Sequence, residues 1–99
     1  MTTAPALLAD AIERGRALHP EWRQAWAALY RTRSGWVQGE RPTKATASAC
    51  ALGFALVGKA ELGTAIPCPV CDTTSGLSHL NDTHRWSLDQ IVRYLREIA

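Results

Sequence analysis

The chain has 99 residues, 46% of them hydrophobic, and a formal net charge of +2 at pH 7. This composition excludes a disordered chain and is typical of one globular domain over residues 1–99. No apolar run reaches the roughly 18 residues of a membrane span, and Asp10 interrupts the first apolar segment before a secretory signal could form. Three cysteines, an odd number, do not make a secreted disulfide framework, so we expect a reducing, cytoplasmic compartment.

Basic residues are concentrated in the first half of the chain. Residues 1–44 contain seven Lys/Arg against four Asp/Glu, whereas residues 45–99 contain four against five. One interpretation is a surface for an anionic partner, which would make the protein a nucleic-acid accessory protein with salt-dependent binding. The alternative is that the arginines are the solvated faces of two helices. The candidate contacts are Arg14, Arg16, Arg23, Arg31 and Arg33.

The first third of the chain is predicted to be an N-terminal helical hairpin. Apolar residues recur at helical spacing over residues 4–18, with Leu7 and Leu18 on the apolar face. His19-Pro20 interrupts this pattern, and a second apolar stripe that starts at the proline predicts a helix over residues 20–33. Glycines and a proline then predict a loop over residues 34–45, with a very short strand at residues 36–38.

Two further helices are predicted in the second half. Residues 47–62 are apolar on nearly every side, which indicates a buried central helix that Thr46 or Ser48 caps and Gly63 ends. Gly53 and Gly58 inside this pattern indicate close approach of a neighbouring backbone. Ser87 and the glutamine three residues later fit a capping box before the last helix. The predicted fold class is therefore mainly α, with three to four helices and one Cys/His-containing loop over residues 64–86.

That loop contains two of the three cysteines and two of the three histidines. Cys68 and Cys71 form a Cys-x-x-Cys turn, His79 follows after seven residues, and His84 follows after four more. Zinc in structural sites takes four thiolate or imidazole ligands, and such a turn supplies two of them. The seven-residue gap leaves no room for the helix of a classical finger. The spacing predicts a compact knuckle with a structural Zn²⁺ on Cys68, Cys71, His79 and His84.

Two other interpretations of the loop stay open. In the first, the cysteines are reduced and incidental, and the histidines make hydrogen bonds at the entry to the last helix. There Asn81 and Asp82 would turn back onto the nearby backbone. In the second, the cysteines are a thioredoxin-like redox pair. The sequence disfavours this second interpretation because residues 72–76 are not helical, and that chemistry places its first cysteine at a helix N-terminus.

A second constellation consists of Cys50, His79 and Asp82. A cysteine at the start of an apolar helix, with a histidine and a carboxylate further along the chain, is the order found in papain-like nucleophile sites. It suggests a small cysteine-dependent hydrolase. The alternative is that Cys50 is a small buried core residue in an apolar run.

Two segments resemble a known group of proteins. Residues 49–53 read Ala-Cys-Ala-Leu-Gly, and residues 79–86 read His-Leu-Asn-Asp-Thr-His-Arg-Trp. The chain resembles, over residues 46–96, small and mostly uncharacterised bacteriophage and prophage proteins with such a helix and such a C-terminal segment. It departs from them at Phe54, where a small residue is expected. The resemblance implies a phage or prophage gene product of the bacterial cytoplasm. For such a protein we expect a non-enzymatic role in binding a host or phage macromolecule, in host takeover or anti-defence by analogy with that class of gene. The mild net charge of +2 favours a protein partner over nucleic acid.

Overall fold

A computed structural model describes residues 3–26, 29–30, 37–38, 48–60 and 64–99. The helices are α1 (Ala4–Leu18), α2 (Ala51–Val57), a π-helical turn (His79–Thr83) and α3 (Leu88–Glu97). The strands have two residues each: β1 (Arg23–Gln24), β2 (Leu29–Tyr30), β3 (Val37–Gln38), β4 (Ser48–Ala49), β5 (Ile66–Pro67) and β6 (Thr74–Ser75). The predicted mainly α class with very short β elements is confirmed.

The strands form three separate pairs. β1 lies parallel to β4, β2 lies antiparallel to β3, and β5 lies antiparallel to β6. In the last pair Ile66 is opposite Ser75, and Pro67 is opposite Thr74. Pairs this short cannot be stable alone, so they depend on the helices that pack around them.

Helix α1 forms as predicted over residues 4–18. Thr3 caps it by accepting a hydrogen bond from the Ala6 N–H at 3.4 Å, and a proline lies in its first turn. Its buried face is lined by Leu8, Ala9, Ala11, Ile12 and Gly15. Leu7 and Leu18, predicted on this face, are 53% and 61% exposed. The buried stripe is therefore narrower than the apolar pattern.

The predicted second helix over residues 20–33, and with it the helical hairpin, is wrong. A turn closes at His19, whose C=O accepts from the Trp22 N–H at 3.0 Å, and the chain then enters β1. Residues 29–30 are also a strand. The Gln24 side chain bonds groups around the start of α3, including the Leu88 N–H at 3.0 Å. These hydrogen bonds across the fold outweigh the helix propensity of the segment, because propensity contributes only about a few tenths of a kcal/mol per residue.

Helix α2 is shorter than the predicted 47–62. Ser48 and Ala49 form β4, Cys50 occupies the N-cap, and the helix ends at Gly58. Thr46 and Gly63, the predicted cap and terminator, lie outside the described residues. The chain begins α2 late because residues 48–49 pair with β1.

The crossing of α1 and α2 depends on two glycines. A Cβ atom on Gly15 would lie 2.0 Å from the Phe54 carbonyl oxygen, and one on Gly58 would lie 1.8 Å from that of Ala11. The two backbones therefore touch, which confirms the close approach predicted at Gly58. Arg14 adds a hydrogen bond from its Nε to the Gly58 carbonyl at 2.9 Å.

Helix α3 starts as the sequence predicts. Ser87 and Gln90 form a full capping box, with N–H···O distances of 3.1 and 2.9 Å. Its buried stripe consists of Leu88, Ile91, Val92 and Leu95. It packs on α1, and ion pairs join the exposed edges of the two helices: Arg16 with Asp89, and Arg96 with Asp10 and Glu13. Among the described residues, no helix combines the length and hydropathy needed to cross a membrane.

Candidate metal centre

Cys68 and Cys71 lie at the tip of the β5–β6 hairpin. The Cys68 N–H donates to the Thr73 carbonyl at 2.6 Å, and the Asp72 N–H donates to the Cys68 carbonyl at 3.1 Å. Asp72 has a φ of +57°, a left-handed conformation that aspartate tolerates better than most residues and that closes the turn. The turn holds both thiols at one end of the hairpin, with Cys68 buried and Cys71 exposed.

His79 and His84 lie at the two ends of the π-helical turn. In an α-helix, side chains five residues apart point in directions about 140° apart, since each residue advances by about 100°. The wider i→i+5 turn brings such residues onto one side. Here the His79 and His84 rings lie 4.8 Å apart between centroids, and their Nε2 atoms are separated by 3.1 Å. No feature of the apolar periodicity indicated this π turn.

Hairpin and π turn together bring the four predicted ligands into one cluster. One ligand atom each from Cys68, Cys71, His79 and His84 can be chosen so that all four lie within 4.8 Å of one another. The Cys71 Sγ is 3.1 Å from the His79 Nε2. Ligand bonds of 2.0–2.3 Å around tetrahedral zinc imply spacings between ligands of about 3.3–3.8 Å. The four residues are therefore close enough to hold a metal ion, and the donor set is compatible with zinc.

The thiol of Cys71 ionises more readily than an ordinary cysteine thiol. The pKa of Cys71 is lowered to about 6, first by the Thr73 hydroxyl and then by hydrogen bonds with His84 and His79. The thiolate is the form that binds metal. At neutral pH the exposed thiol of the cluster is thus mostly ionised, so metal binding has few protons to displace from it.

Asn81, between the two histidines, is the residue that fixes the π turn in place. Its side chain is fully buried. The Oδ1 accepts from the Ala51 N–H at 2.9 Å and from the Gln24 Nε2 at 2.8 Å. The Nδ2 donates to the Ala25 carbonyl at 2.9 Å and to the Asp82 Oδ1 at 2.6 Å. Both donors and both acceptor positions of the amide are occupied.

The partners of Asn81 differ from the predicted ones. The sequence predicts bonds to the backbone just before the last helix, whereas the amide binds backbone groups of Ala25 and Ala51, at least 30 residues away. The bond to the Ala51 N–H caps the start of α2 from another part of the chain. Gln24 extends the network, because its Nε2 also donates to the Trp86 carbonyl at 2.8 Å.

The other side of the hairpin is attached to α3. The Tyr94 hydroxyl donates to the Pro67 carbonyl, one residue before Cys68. The Tyr94 ring also meets Trp86 edge to face, with ring centroids 5.5 Å apart. The sequence analysis missed Tyr94, which lies outside the buried stripe of α3.

The residues of the hydrolase hypothesis lie in different surroundings. Cys50 is 2% exposed, and burial raises the pKa of its thiol. The ring of His79 contacts Cys71 and His84, and Asp82 accepts from Asn81. Cys50 thus belongs to the core and His79 to the metal cluster. A cysteine-dependent hydrolase stays a prediction.

Three of the five candidate arginines lie in the described part of the chain. Arg14 donates to the Gly58 carbonyl, Arg16 pairs with Asp89 at 2.7 Å, and Arg23 is exposed on β1. Arg31 and Arg33 lie outside the described residues. Two of the five side chains are therefore engaged within the fold itself.

Compared with models of protein families, with curated proteins and with solved structures, the chain gives no match. The resemblance to bacteriophage and prophage proteins stays a prediction. What can be said of function depends on the residues of the site.

Replacing Asn81 by alanine should destabilise the protein by about 2–4 kcal/mol, because it leaves the buried Ala51 N–H and the partly buried Ala25 carbonyl without this partner. The free energy of unfolding in urea measures this cost. Ser87→Ala is the control, since loss of an exposed cap costs about 1 kcal/mol. Equal losses in the two variants would contradict the role given to Asn81.

The cysteines should differ sharply in reactivity in folded protein stripped of metal. Alkylation of Cys71 should rise with pH around a midpoint near 6, where its thiolate forms. Cys50 should stay unmodified until the protein is denatured, because it is buried. Mass spectrometry of the labelled peptides measures both. A Cys71 midpoint near 9, or rapid labelling of Cys50, would contradict this account, and the latter would favour the hydrolase.

Proposed function

We propose that Cys68, Cys71, His79 and His84 hold one zinc ion as a structural zinc knuckle, in a small non-enzymatic protein that acts by binding a macromolecule. The observation that carries the proposal is the convergence of the four ligand atoms within 4.8 Å. Two thiols and two imidazoles are a common donor set of structural zinc. Four protein ligands also complete the tetrahedron, whereas catalytic zinc keeps one position for water or substrate.

The zinc would join two short segments from different parts of the chain. The hairpin has two residues in each strand, and the histidines lie on a single π turn. An ion bound across them stabilises the native state, since the ligands converge only when the protein is folded. The knuckle would thereby present a rigid surface around the exposed Cys71.

A role in host takeover or anti-defence, in the bacterial cytoplasm, is the finer part of the proposal and rests on the resemblance of residues 79–86 to phage proteins. The charges favour a protein partner over nucleic acid. The net charge is only +2, and both Arg14 and Arg16 are bound within the fold. A nucleic-acid domain usually presents a basic stripe.

Protein purified without chelator should carry one zinc per chain in native mass spectrometry, and a chelator should lower its melting temperature. Cys71→Ser and His84→Asn should lose the ion because each removes one of four ligands. The chain supplies matched controls in its third cysteine and third histidine. Cys50→Ala and His19→Asn should keep the zinc. A metal-free mass, with melting unchanged by the chelator, would refute the knuckle.

The binding role is tested with the same proteins in affinity capture from a bacterial lysate. Wild type should retain a protein partner after nuclease treatment, and Cys71→Ser should lose it along with the zinc. Loss of the partner after nuclease would instead point to nucleic acid. Equal capture by wild type and Cys71→Ser would show that partner binding does not require the metal.

A further inference from the structure

Thr73 contacts both cysteines of the candidate centre but is not one of the four candidate ligands. Its backbone carbonyl accepts from the Cys68 N–H at 2.6 Å. Its side-chain Oγ1 lies 3.1 Å from the Cys71 Sγ. A single residue thus contacts the first cysteine through the main chain and the second through the side chain.

The direction of the side-chain bond follows from the state of the sulfur. A cysteine that binds metal is a thiolate and has no proton to donate. The hydroxyl of Thr73 must therefore donate, and Cys71 accepts. A hydrogen bond to an ionised group is stronger than one between neutral groups.

The bond matters because Cys71 is the exposed member of the cluster, whereas Cys68 is 3% exposed. An exposed thiolate can rotate away from a metal ion or exchange it with solvent ligands. The Thr73 hydroxyl holds the Sγ on the side that faces His79, whose Nε2 is also 3.1 Å from it. Partners that orient metal ligands in this way commonly change metal affinity by 10–100-fold.

We propose that Thr73 is a positioning residue of the zinc knuckle, whose hydroxyl orients the Cys71 thiolate and tightens metal binding. This inference rests on the proposed zinc site and adds a residue that the Cys/His pattern does not contain. Thr73 would slow the loss of the ion by limiting the rotation of the exposed Cys71 thiolate, without contacting the ion itself.

The experiment compares wild type with Thr73→Val, Thr73→Ser and Thr74→Val. Valine keeps the branched shape and the main-chain carbonyl but removes the hydroxyl, and serine restores the hydroxyl. Thr74 is the control, an exposed neighbour on β6 with the same side chain. Zinc affinity is measured by competition with a chromophoric chelator, and the sulfur-to-metal absorption band is recorded after substitution with Co²⁺.

Thr73→Val should bind zinc about 10–100-fold more weakly than wild type, while Thr73→Ser and Thr74→Val stay within about threefold. Its sulfur-to-cobalt band should shift to longer wavelength, because a thiolate without a hydrogen bond gives up its electrons more readily. A merely structural role would leave that band in place.

Unchanged affinity and an unchanged band in Thr73→Val would overturn the inference, as would failure of serine to restore binding. If wild type binds zinc normally in those cases, the proposed knuckle stands without Thr73. If wild type binds neither Zn²⁺ nor Co²⁺, the knuckle itself fails. Thermal melting of the metal-free variants verifies that each is folded before the comparison.

Discussion

The buried amide of Asn81 is the interaction on which the arrangement of this protein depends. A primary amide without partners would be costly in a core, and this one has four. They connect the π turn to the segment around β1 and to the first N–H of α2. Because Asn81 lies between His79 and His84, the bonds that hold the core together also orient the two histidines. The candidate metal centre is therefore anchored from within the fold.

The apolar framework around this network is held by close helix contacts. Gly15 and Gly58 let the backbones of α1 and α2 touch, and α3 closes the core with its stripe of aliphatic side chains. Some small domains add a metal or a disulfide that links distant segments of the chain. A zinc ion across the hairpin and the π turn would supply such a link. It would act where the structure has only two-residue strands.

Features determined by neighbouring residues could be predicted from the sequence. Helix α1 and the capping box at Ser87 follow from local capping and periodicity, and the Cys-x-x-Cys turn with two later histidines identified all four candidate ligands. Features that depend on distant partners could not. Gln24 lies in a strand because its side chain bonds groups 57 to 64 residues away, although its neighbours have helical periodicity.

The same distinction explains the other errors and omissions. The apolar run over residues 47–62 predicted one long helix because its composition does not reveal that residues 48–49 pair with β1. The π turn places the Asn81 amide against its distant partners and brings the two histidines onto one side. No periodic pattern of apolar residues predicts such a turn. The hydroxyl of Tyr94 contacts the Pro67 carbonyl and that of Thr73 contacts the Cys71 sulfur, and such contacts leave no trace in spacing or hydropathy.

X-ray absorption at the zinc edge on the loaded protein tests the central claim most directly. The account predicts a four-coordinate ion with two sulfur ligands at about 2.3 Å and two imidazole nitrogens at about 2.0–2.1 Å. His19→Asn, which lies outside the cluster, should leave that shell unchanged. A shell with a single sulfur, with three sulfurs that include Cys50, or with oxygen ligands in place of the imidazoles would contradict it.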